Sequence, residues 1–150
     1  MVTLWVYLFA FADPGVPDRL DDPAYGEAAQ EVCAAARQDI DVLPPAQEAR
    51  TPEERAETVA EANQVLLVML DDLGALAPDD GDDAELVRRW LDDWDTYVGD
   101  RQEYVQALRA GEDAELLVTP QVEGGGQVTE TIDHFARIND MVDCQVPLDA

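Results

Sequence analysis

The sequence predicts an all-α antiparallel bundle of about four helices. Three observations carry that expectation. First, the stretch Asp83–Ala110 repeats with a helical period. Val87, Trp94, Arg101 and Leu108 recur every seven residues, with Trp90, Tyr97 and Tyr104 three positions after the first three and Leu91, Val98 and Val105 one position further. This draws a broad apolar stripe along one helix of roughly 40 Å, which other helices must cover. Second, Thr51-Pro52-Glu53-Glu54 reads as a helix start: Thr51 caps, Pro52 takes the first helical position, and Glu54 completes a capping box. Third, Pro44-Pro45, Pro78 and Gly111 punctuate the periodic runs. The turn between the second and third runs is short, which makes them antiparallel neighbours.

In chain order, residues 1–12, MVTLWVYLFAFA, are apolar and uncharged. Twelve helical residues span about 18 Å, short of a bilayer core of about 30 Å. A truncated membrane anchor, a signal peptide ending at Ala10-Phe11-Ala12 and a buried helix are the three readings. The anchor is favoured because Asp13-Pro14-Gly15 ends the run abruptly and Trp5 and Tyr7 suit an interfacial belt. Residues 13–22 read as a Pro-rich linker, and 23–150 as the bundle domain. Asp22-Pro23 opens a first helix over about 23–43, with Tyr25, Ala29, Val32, Ala36 and Ile40 inward. Its alanines permit close approach of a neighbour. The second helix runs from Pro52 to about Leu76, burying Ala56, Val59, Ala60, Asn63, Leu66, Leu67, Leu70 and Leu73. The acidic turn Asp79–Asp83 leads into the central helix, which ends at Arg109 and Gly111 as the dipole and a left-handed cap prefer. Reflection through that turn pairs Asp71 and Asp72 with Arg88 and Arg89. Residues 111–127 form a long connection with a helical turn at Asp113–Leu117 and a mobile tip at Gly124-Gly125-Gly126. A last helix over about 128–139 buries Val128, Ile132, Phe135 and Ile138, and a tail carries Met141, Val142 and Cys144.

Composition narrows the function. A hydrophobic fraction of 47% in 150 residues suits one globular core. A net charge of −25 repels phosphate backbones, which excludes nucleic acid as a partner, and points to cations or a basic partner if it serves recognition at all. The chain contains no Lys and no Ser, which removes serine nucleophiles, the P-loop lysine and Schiff-base chemistry. With one histidine, His134, a multi-histidine metal site is excluded. No cofactor, metal site or catalytic residue is expected. The acidic turn lacks the spacing of an EF-hand and reads as solvated. Glu130 and His134, four apart, read as a surface pair. Trp90, Trp94, Tyr97 and Tyr104 read as core, with the lining of a ligand pocket as the alternative.

Arg101 stands where the stripe calls for an apolar residue. One reading keeps its stem packed and its head in water. The other buries it in an ion pair with Glu57 or Glu61, which the same reflection brings near. The two cysteines, Cys33 in the first helix and Cys144 in the tail, are expected to form a disulfide if the domain matures outside the cytoplasm, and to be buried free thiols otherwise.

Trp90-Leu91-Asp92-Asp93-Trp94, Tyr97, Asp100-Arg101 and Tyr104 resemble a W-x-x-D-W-x-x-Y-x-x-D-R-x-x-Y run of uncharacterised membrane-anchored proteins of actinobacteria. Ile132-Asp133-His134-Phe135-Ala136, Asn139-Asp140-Met141 and Cys144 are similar to their ending, although the family has Pro where Val142 stands. The resemblance implies an extracytoplasmic helical domain on one anchor and brings no established activity. The expected function is therefore a non-enzymatic binding or scaffolding module at the cell envelope, tethered through the N-terminal segment, with an unknown protein or cationic ligand as partner. The alternatives are a carboxylate-dependent enzyme and a bundle binding a small cationic or amphipathic ligand. An apolar pocket beside Trp90 or Trp94 would favour the last.

Overall fold

The computed structural model describes residues 17–121 and 126–148. The apolar segment 1–12, the first four residues of the linker and Gly124-Gly125 lie outside the described residues. Among the described residues the chain forms four α-helices: α1 (Pro23–Asp41), α2 (Pro52–Leu76), α3 (Gly81–Arg109) and α4 (Val128–Ile138). One 3-10 turn, Ala46–Glu48, lies between α1 and α2, and another, Val142–Cys144, follows α4. The expected all-α bundle is observed, and α2 and α3 are antiparallel neighbours. α1 packs on α2, α4 packs on α3, and the segment after α4 returns as a strap across α1 and α4.

Local chemistry explains the helix ends. The Asp22 carboxylate accepts from the Ala24 N–H at 2.9 Å, and Pro23 follows as the first helical residue. Thr51 Oγ1 accepts from the Glu54 N–H at 3.1 Å. The Glu54 carboxylate reaches one residue beyond the cap and accepts from the Arg50 N–H at 2.9 Å. α3 ends in a Schellman motif, in which Glu112 N–H donates to Ala107 O and Gly111 N–H to Leu108 O, at 3.1 and 3.0 Å. Gly111 has φ +79°, the left-handed conformation that motif needs.

α3 is the axis of the core. Trp90 stacks on Phe135 of α4 at 5.2 Å between ring centroids and meets Tyr25 and Trp94 edge-on, each at 6.5 Å. Its indole N–H donates to Ile132 O at 3.3 Å. A smaller cluster of Ala46, Ala56, Val59, Tyr104, Val105 and Leu108 closes the far end. α1 approaches the end of α4 so closely that a Cβ on Gly26 would lie 2.9 Å from Asn139 O.

Four sequence expectations are corrected. On α2, Leu67 faces outward, Ala60 and Leu70 are half-buried, and Ala62 and Met69 take inward places. The run Val65–Leu70 is apolar all round, so its period could not choose a face. Asp113–Leu117 is not helical. Ala114, Leu116 and Val118 turn inward in alternation, the period of extended chain laid on a surface. Arg88 and Arg89 do not meet Asp71 and Asp72. Arg88 pairs with Asp92 at 3.0 Å, one turn along its own helix, and Arg89 pairs with Asp18 at 3.3 Å. Finally, residues 17–22 are docked rather than a free linker. Leu20 is buried, its N–H donates to Asn139 Oδ1 at 2.9 Å, and both oxygens of Asp83 accept from the N–H groups of Asp21 and Asp22.

Candidate functional site

The strap is held to the bundle at several points. Cys33 and Cys144 form a disulfide, with sulfurs 2.04 Å and Cα atoms 5.0 Å apart, and both are buried. The Gln30 side chain brackets Asp143, accepting from its N–H at 3.0 Å and donating to its carboxylate. Arg37 donates to Gln145 O at 2.9 Å and to Asp143 O at 3.3 Å, with the Asp143 carboxylate 3.6 Å from its Nε. Asp133 on α4 accepts from the Val146 N–H at 2.8 Å. Beyond that point Gln47 Nε2 reaches Leu148 O at 3.3 Å.

Under this strap lies a cavity of about 270 Å³ between the C-terminal half of α1, α2 and residues 143–148. Its deep wall is apolar: Cys33, Ala36, Ile40, Ala62, Leu66, Met69 and Trp94. Asp41, Pro44, Pro45, Gln47 and Leu148, all exposed, form its mouth. The volume is near the lower end of small-molecule sites. Small side chains make the room. Ala36 and Ala62 line the same wall as Trp94, and their short side chains take up little of the space. Trp94 is buried and its indole N–H has no hydrogen-bond partner, an omission that costs about 1–3 kcal/mol.

The polar groups of the cavity are unequal. Asp143 is engaged by Arg37 and Gln30, and Arg37 is spent on the strap. Asp41 at the mouth is exposed, and no ion pair joins it to another described residue. Asp143 is thus occupied with holding the strap, and Asp41 is the carboxylate left at the mouth. The arrangement suits recognition of an apolar body with a head that tolerates or prefers a neighbouring carboxylate.

Of the aromatics anticipated as a ligand lining, only Trp94 touches this cavity. Trp90, Tyr97 and Tyr104 are core, with Trp90 also bordering a shallow surface hollow beside His134 and Asp93. Glu130 and His134 are exposed and no hydrogen bond joins them. Among the described residues no group of three or more His, Cys, Asp or Glu is placed to hold a metal ion.

Arg101 is fully buried. Its Nε donates to Asn63 Oδ1 at 2.6 Å, one amino group donates to Tyr97 Oη at 3.3 Å, and the guanidinium lies 5.6 Å from the Tyr97 ring centroid. Glu57 and Glu61 are not brought to it. They are exposed, around a hollow shared with Gln102, Gln106 and Arg109. The reflection that suggested them misplaced the register of α2 on α3. Asn63 and Glu61 are two positions apart, roughly 200° around the helix, so an inward Asn63 leaves Glu61 facing out. The neighbouring Asp93 and Asp100 have a clear task. Asp100 accepts from the Thr119 N–H and hydroxyl, both at 2.7 Å, and Asp93 accepts from Gln121 and Thr131 at 3.1 and 2.9 Å. The W-x-x-D-W-x-x-Y-x-x-D-R-x-x-Y run is thus a core stripe with two carboxylates that hold the crossing segment.

Sequence reading missed the cavity residues Arg37, Ala62, Met69 and Pro147. The available signal was the alanines of α1 and α2, and whether alanines invite contact or leave space depends on the register of two helices. No family model matches the chain, nor does any curated protein or any solved structure.

Proposed function

We propose that this chain is a non-enzymatic binding module of the cell envelope, outside the cytoplasm, that takes a small amphipathic ligand beneath its C-terminal strap. The observation that carries this reading is the cavity beside Trp94, apolar within and edged by Asp41 at its mouth. A ligand with an apolar tail would fill space that the bundle leaves empty. With −25 net charge and the nearest cation already paired, a neutral or cationic head is favoured over an anionic one. The disulfide supports a compartment where such bonds persist, and the resemblance to membrane-anchored proteins points the same way.

The test is titration of the whole chain with decyltrimethylammonium, decyl maltoside and decyl sulfate below their micellar concentrations, read by tryptophan emission and calorimetry. Saturable binding in the order cation, neutral, anion is expected. Ala36→Leu, which fills the cavity, should weaken it by about tenfold or more, and Asp41→Asn should weaken only the cation. Non-saturable binding, or affinity unchanged in a folded Ala36→Leu protein, would refute the proposal.

A further inference from the structure

Beside the cavity, on the outer side of the α1–α2 pair, runs an open groove. Its floor is two short apolar ridges: Val32, Ala35 and Ala36 on α1, and Val65, Val68 and Met69 on α2. Each ridge follows the i, i+3, i+4 spacing of one helix face. Val68 in this groove is 63% exposed. The rim is acidic, with Glu31 and Asp39 along α1 and Asp72 along α2, and among the described residues no cation lines it. The wider field has the same sign. α1 carries four carboxylates against Arg37 and α2 carries six against Arg55. Both arginines turn elsewhere, Arg37 to the strap and Arg55 to Ala46 O.

We infer that this groove docks an amphipathic helix of a partner protein, with apolar residues on one face and Lys or Arg flanking them. Two antiparallel helices present side-chain ridges and no open backbone edge. A third helix can lie between such ridges, whereas an extended strand finds no hydrogen-bond template there. The low alanine wall of α1 lets the incoming helix approach closely. The rim then selects charge: basic residues beside the apolar anchors meet carboxylates on both sides of the groove. The same reasoning disfavours two other occupants. A second copy of this chain brings its own −25 charge to an acidic rim. The chain's own residues 1–12 carry no charge and would leave the rim unmatched.

The experiment uses the whole chain and three synthetic helical peptides of about five turns. One has leucines on a single face and lysines elsewhere, one is its scramble, and one carries glutamates in place of the lysines. The patterned basic peptide is expected to bind about tenfold tighter than the scramble, and the acidic peptide not at all. Val68→Asp and Asp72→Asn should each weaken the patterned peptide severalfold. Glu57→Gln, the same change of charge outside the groove, should leave it unaltered. Asp72 is already exposed, so its variant keeps the test valid if Val68→Asp fails to fold. In parallel, p-benzoylphenylalanine at position 68 should crosslink to the basic peptide. Equal affinity for the scramble, indifference to both groove variants, or crosslinking to residues 1–16 or to a second copy would overturn the inference.

Discussion

Arg101 shows how a charge is accommodated within an apolar stripe. Its guanidinium is removed from water and held by the Asn63 amide oxygen and the Tyr97 hydroxyl. Arg101→Met fits the space but leaves Asn63 Oδ1 buried without this donor, which is expected to cost about 1–3 kcal/mol. Adding Asn63→Leu should recover part of that loss, because the amide left without its Arg101 donor is then removed as well. Urea midpoints of the two single variants and the double variant measure the coupling, and strict additivity would mean that the two side chains do not act as a pair. Tyr25 makes a second residue-level case. Burial pushes its phenol well above the ordinary value, because ionisation would place a charge in the core. Below about pH 10 the phenol is neutral folded or unfolded. Above that pH the unfolded chain ionises first, so stability falls by up to about 1.4 kcal/mol per pH unit until the higher folded value is reached. The chain has no lysine and its described cysteines are bonded, so few other groups titrate there. Unfolding midpoints between pH 8 and 11 should decline more steeply for the natural chain than for Tyr25→Phe. Parallel curves would show that Tyr25 is not the group responsible.

At the scale of elements, close approaches decide more than propensities. Gly26 looks like a weak point inside α1, since glycine costs a helix interior about 1 kcal/mol relative to alanine. The structure gives it a purpose: α1 crosses the end of α4 there, and Asn139 O would lie 2.9 Å from a Cβ. Asn139 is itself fixed, because its amide donates to Asp18 O and Phe135 O at 3.1 and 3.0 Å while its oxygen accepts from Leu20. Gly26→Ala is therefore expected to destabilise by about 1–3 kcal/mol, the overpacking cost outweighing the helical gain. Differential scanning calorimetry would register it as a lowered Tm, and a raised Tm would mean that α4 can move aside freely. Gly74, also within a helix, has nothing within 4 Å of a built Cβ. Gly74→Ala serves as the control and should stabilise slightly.

At the scale of the molecule, the disulfide makes the C-terminal strap part of the domain. Cys33 and Cys144 are 111 residues apart in sequence. A crosslink over such a span removes about 4–5 kcal/mol of denatured-state entropy in the chain-entropy model, with measured values often lower. Cys33→Ala with Cys144→Ala should lower stability by a few kcal/mol and loosen residues 141–148. Because that segment walls the cavity, ligand binding should weaken in step. Hydrogen exchange of the strap amides, compared before and after the double substitution, checks both effects. Protection unchanged at positions 144 and 146 would show that the side-chain bonds of Gln30, Arg37 and Asp133 hold the strap unaided. Among the described residues no helix is long and apolar enough to cross a membrane.

The sequence by itself determined the helices of this protein and most of their inward faces. The capping chemistry of Asp22, Thr51 and Gly111 is local, and a seven-residue recurrence over α3 is long enough to orient it without knowledge of its neighbours. It also determined the charge, the absence of Lys and Ser, and a single pair of cysteines able to bond. Tertiary structure alone decided the rest. α2 is apolar around its whole circumference near Val65–Leu70, so only packing against α1 and α3 chose Met69 over Leu67. The partners of Arg101 and Arg89 depended on registers that sequence reflection places no better than a turn. The cavity under the strap and the groove beside it exist because Ala35, Ala36 and Ala62 face particular neighbours. A small side chain fills a contact or leaves a space according to the distance between two helices, and that distance is written in no single segment of the chain.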